Sequence, residues 1–174
     1  MIRKSNERPF NFKPALLEAY AVSERMNQIL LTYLDERAWR AEPAGGKVRN
    51  IAQVVAHIHN VRHMWLVTCG KAMRGLKVPP LLNRAKCTKK QAAAALDRSA
   101  QSMNRLIAEA LERPGGRVKN FPSGVAGFVG YHIAHEAHHR GQVMMLARQA
   151  GYPFAREVNF DLWAPGRRPT GRNK

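Results

Sequence analysis

The sequence predicts an all-α protein, specifically a four-helix bundle. Apolar residues recur with a 3.6-residue period in four segments, and no segment alternates as a strand would. Helix start and stop signals bracket those segments. One connection, between the second and third helices, is too long for a tight turn and would let those two helices run parallel.

The first helix is expected from Pro14 to Trp39. Pro14 suits a first turn, where its missing N–H breaks no helical bond. Ala15, Leu16, Ala19, Met26, Ile29, Leu30 and Tyr33 supply its apolar face. The loop AEPAGGKVR follows, and Asn50 with Gln53 three residues later opens a second helix reaching Thr68. Residues 69–87 contain Gly70, Gly75, Pro79 and Pro80 and form the long crossover. Thr88 and Gln91 form a second capping box, opening a third helix that ends near Arg113, before Pro114-Gly115-Gly116. Ser123 is placed to cap a fourth helix ending at Gly151, with Pro153 beyond. Residues 152–165 are expected to lay Phe154, Phe160, Leu162 and Trp163 over one end. Residues 1–165 thus make one domain, and the basic tail 166–174 is expected to be disordered.

Composition narrows the function classes. There are 29 Lys and Arg against 12 Asp and Glu, a net charge of +17. Such a field attracts anions, but the basic residues form no block of five and accompany no nucleic-acid motif. A nucleic-acid partner is therefore not expected. Cys69 and Cys87 make neither a disulfide framework nor a C-x-x-C site. The first residues lack a signal peptide's apolar run, and no stretch approaches a membrane span. A cytoplasmic protein with no membrane partner is expected.

The chemistry concentrates in histidine. All seven lie in two predicted helices: His57, His59 and His63 in the second, and His132, His135, His138 and His139 in the fourth. Phase at about 100° per residue sorts them. In the fourth helix the apolar stripe of Val125, Phe128, Val129, Val143, Leu146, Ala147 and Ala150 also carries His132, His135, Glu136 and His139, while His138 turns to the flank. In the second, His57 sits at the edge of the apolar face, and His59 and His63 fall on the opposite, polar side as surface residues. His135 and His139, one turn apart, can hold one metal together. A third imidazole from a facing helix would leave a coordination position open, as catalytic metal sites do. Imidazole ligation suits Zn, Ni or Fe without choosing among them.

His135-Glu136-Ala137-His138-His139 also matches the H-E-x-x-H of zinc proteases. The context is wrong for one: no third ligand follows in the expected place, and no sheet edge is predicted to hold a peptide.

The string His135-x-x-x-His139-Arg140-Gly141-Gln142, with HIHNVRHMWL in the second helix, resembles the DinB-like family of damage-inducible metalloproteins. Its relatives include bacillithiol transferases and a mycothiol-dependent maleylpyruvate isomerase. The resemblance spans the second helix through Trp163. It implies an up-down-down-up bundle with a divalent metal on three histidines, which by position are His57, His135 and His139. It departs at Arg62-His63-Met64, where most relatives carry an acidic residue before the tryptophan. The expected function is a metal-dependent enzyme that activates a low-molecular-weight thiol for transfer to an electrophile. Glu136 would accept the proton or orient a ligand imidazole. The expected partners are a small-molecule thiol, an electrophilic substrate and a second copy of the chain as a homodimer. The alternatives are a non-enzymatic metal-binding stress-response protein, a metal-dependent hydrolase at the same open site, and a basic nucleic-acid-binding module.

Overall fold

The computed structural model describes residues 10–163, apart from 44, 45, 47 and 72. Within them the chain forms five α-helices and no strand: α1 (Phe12–Tyr33), α2 (Ile51–Gly70), α3 (Lys89–Glu112), α4 (Val125–Gln149) and α5 (Arg156–Trp163). The four long helices pack on one another, with both α1 and α2 lying against α3 and α4. The fifth, packed on α1, extends the expected four-helix arrangement by one element. The tail expected to be disordered lies outside the described residues.

Both capping boxes form. The Asn50 side chain accepts from the Gln53 N–H at 3.0 Å, and the Gln53 side chain returns the bond to the Asn50 N–H. Thr88 and Gln91 do the same for α3. The first helix begins at Phe12, two residues earlier than expected, and the second runs two residues further, to Gly70. The first helix stops at Tyr33, because Leu34 is extended and the Asp35 side chain caps a separate 3₁₀ turn, Glu36–Ala38. At α4 the cap residue is Gly124, not Ser123, and no side chain satisfies that terminus. Gly151 takes φ +83°, the left-handed conformation that ends a helix where other side chains are strained.

The face of α1 is rotated from the predicted one. Its buried stripe is Tyr20, Ser23, Glu24, Asn27, Leu30 and Leu31, whereas Tyr33 is half exposed. An apolar count misses this face because half its members are polar. They are stable inside because each finds a hydrogen-bond partner there, apart from the Tyr20 hydroxyl.

The segment after α4 covers the molecule only in part. Val158 and Leu162 pack against Leu30, with Phe154 beside them. Phe160 and Trp163 stay largely at the surface, 55% and 89% exposed. In the short α5, Val158 and Leu162 stand one turn apart on the inner face, so Trp163 is carried round to solvent.

Candidate metal centre

His57 is carried by α2, and His135 and His139 stand one turn apart on α4. Because α2 packs against α4, one ring nitrogen from each histidine falls within 4.8 Å of the other two. The ring centroids lie 4.5–5.3 Å apart. These are the three residues that the family resemblance implied. The donor set of three imidazoles fits a divalent cation with one position left open.

One hydrogen bond turns a lone pair of His139 inward. His139 donates from Nδ1 to Oε1 of Gln142 at 2.7 Å, which leaves its Nε2 unprotonated, facing Nε2 of His135 at 3.1 Å. Gln142 in turn donates from Nε2 to His138 Nε2 at 3.1 Å. Tyr131 stacks on the His135 ring, its plane tilted by 20°. Burial, reinforced by the neighbouring His139, lowers the His57 pKa to about 4. Burial also lowers His135 and His139. All three imidazoles are therefore neutral near pH 7, the form that can ligate a metal.

Glu136 belongs to a different structure. It is fully buried and held on both oxygens by Arg62 of α2: Nε to Oε1 at 2.7 Å and Nη2 to Oε2 at 2.6 Å. Asn27 of α1 donates to the same Oε2 at 2.8 Å. Arg62 Nη2 also reaches Glu24 at 2.6 Å, and Nη1 donates to the Leu96 carbonyl of α3 at 3.0 Å. Arg140 of α4 closes the cluster on Asn27 Oδ1 at 3.0 Å and Ser23 Oγ at 3.1 Å. Burial alone would raise the Glu136 pKa, but the Arg62 charge and the bonds from Arg62 and Asn27 outweigh it and hold the carboxyl below its ordinary range. Among the described residues, no hydrogen bond joins Glu136 to any of the three histidines. This arrangement also answers the protease motif: the glutamate of H-E-x-x-H is locked in an ion pair, and no strand among the described residues offers an edge to a peptide.

Several polar residues lie where apolar phase did not put them. His59 is fully buried instead of on the surface, with Nδ1 3.2 Å from Ser99 Oγ and Nε2 donating to the Pro80 carbonyl at 2.9 Å. His63 is half-buried and bonds the Pro79 carbonyl at 2.7 Å. The crossover residues Pro79, Pro80 and Leu82 lie against α2 and bring backbone carbonyls to His63, His59 and Asn60. His138 is exposed as expected. His132 is fully buried with neither ring nitrogen bonded, and burial lowers its pKa to about 3. Gln142 and Arg62 stand in the quoted motifs, but sequence reasoning assigns neither the role it has here. A signal existed for each: Gln142 stands three residues after His139, and Arg62 interrupts the series Val55, Ile58, Leu66 and Cys69 on the buried side of α2.

The model of the DinB family matches residues 1–164 of the chain. Comparison with curated proteins and with solved structures found no match. No helix among the described residues is long and apolar enough to cross a membrane.

Proposed function

Because the chain belongs to the DinB family, we propose that it binds one divalent metal through His57, His135 and His139 and activates a low-molecular-weight thiol for attack on an electrophile. The observation that carries this reading is the convergence of three neutral imidazoles from α2 and α4, with the tautomer of His139 held by Gln142. A divalent cation held there supplies the charge that makes a thiol lose its proton at neutral pH. Zinc, nickel and iron all suit this donor set.

The chain's own residues divide the work. His57, His135 and His139 bind. Gln142 orients His139, and Tyr131 supports the His135 ring. Glu136, whose oxygens are taken by Arg62 and Asn27, acts as a positioning residue that ties α4 to α1 and α2. Cys69 and Cys87 are buried, and burial raises both thiol pKa values, so neither is suited to act as the nucleophile. That supports a thiol supplied by a cosubstrate.

The test has two parts. Elemental analysis of the purified protein should find about one metal per chain, largely lost in His139→Ala. Thiol consumption with 1-chloro-2,4-dinitrobenzene, assayed across several bacterial thiols, should depend on that metal. Full metal retention in His139→Ala would sink the ligand assignment. Metal binding without turnover of any thiol would leave a non-enzymatic metal-binding protein.

A further inference from the structure

We infer that the thiol taken by this centre carries a carboxylate, and that Arg49 is the residue that recognises it. The inference rests on the thiol-activating reading above and adds the class of thiol.

Gln142 has two neighbours that matter. One is His139, whose Nδ1–H it accepts; the other is a groove of about 560 Å³ that it helps to line. Gln142 therefore joins the groove to the histidine centre, and the groove is large enough for a small molecule. Its apolar walls are Val54, Met145 and Leu146, and its polar ones Arg49, Gln142 and Gln149. Among the described residues, no carboxylate lines it. The acidic residues that form ion pairs among the described residues pair elsewhere, with Lys13, Arg25, Arg37, Arg62, Lys89 and Arg113. Arg49 is exposed and in none of these pairs.

Arg49 lines the groove together with Gln142, the residue bonded to His139. On the other side, Arg84 of the crossover brings Nη2 to 3.5 Å from His57 Nδ1. Two cations beside a centre that would itself hold a cation repel it. A ligand carrying negative charge offsets that repulsion. The ligand so inferred is a short molecule whose sulfur would reach the histidines past Gln142 and whose carboxylate would meet Arg49 in the groove lined by Val54 and Met145. An arginine–carboxylate contact is charge-assisted and directional, so it selects as well as attracts.

The experiment uses the cobalt-substituted full chain, in which a bound thiolate produces a near-ultraviolet charge-transfer band. The probes are 3-mercaptopropionate and 2-mercaptoethanol, similar in length and differing in the carboxylate. The wild type should bind 3-mercaptopropionate about tenfold more tightly, the scale of one charge-assisted hydrogen bond. Arg49→Gln should lose that preference while keeping its cobalt and its affinity for 2-mercaptoethanol. Arg148→Gln, which removes an equal charge from a neighbouring groove, should keep the preference and so controls for the net charge of +17. Equal affinities in the wild type, or a preference that survives Arg49→Gln, would overturn the inference. If neither thiol produces the band although cobalt is bound, the thiol reading fails. Glutarate then decides the remainder: perturbation of the visible cobalt bands in the wild type but not in Arg49→Gln retains an anion site, and equal effects remove it.

Discussion

Replacing Glu136 by glutamine keeps the side chain's size and removes the charge that balances Arg62. Arg62 would remain fully buried with only Glu24 to pair it. Breaking one side of a buried ion pair costs roughly 3 kcal/mol. Glu136→Gln should therefore lower stability by about that amount in a denaturant titration, yet retain its metal. A variant as stable as the wild type would show that the pair contributes little. His138→Ala should keep its metal, since His138 touches the centre only through Gln142. At this scale the site was largely legible in the sequence. His135, His139 and Glu136 could be read as polar groups in an apolar stripe, because one helix sets their phase. That Glu136 faces Arg62, and not a ligand histidine, could not be read, since 74 residues separate the pair.

Helix ends are governed by residues close in sequence, so they are the elements' most readable features. The Thr88–Gln91 box satisfies N–H groups that the first turn of α3 otherwise leaves without partners. Thr88→Ala should cost about 1 kcal/mol of stability. It should leave metal content unchanged, because α3 contributes no histidine to the centre; metal loss in this variant would mean that α3 supports the site directly. The weaker reading of α1 has the opposite cause. Its inner face carries Ser23, Glu24 and Asn27, which an apolar count assigns to solvent and only partners on α2 and α4 draw inward.

Over the whole molecule, burial of uncharged imidazoles makes stability depend on pH. His57 and His132 have pKa values lowered from 6.5 to about 4 and about 3. The unfolded chain therefore binds more protons than the folded one between those values and 6.5. The stability these groups allow is complete above pH 6.5 and falls as pH drops through the folded values. Metal-free protein should lose stability steadily from pH 6.5 towards 3, as thermal denaturation across buffers would record. His132→Leu should flatten part of that slope, since it removes an imidazole that makes no hydrogen bond in the core. A slope identical to the wild type's would show that His132 does not titrate on unfolding.

The sequence by itself determined that the protein is helical, where most helices begin and end, and which face of α4 turns inward. These properties follow from periodicity and capping, which act within a few residues. It also held the family motif that selected His57, His135 and His139. The tertiary structure alone decided which polar residues are buried and with whom. The crossover laid Pro79 and Pro80 carbonyls against His63 and His59, and helix packing closed Arg62 on Glu24 and Glu136. A buried polar group is stable only when its partner is present. Here those partners come from segments distant in the chain, and packing brings them together.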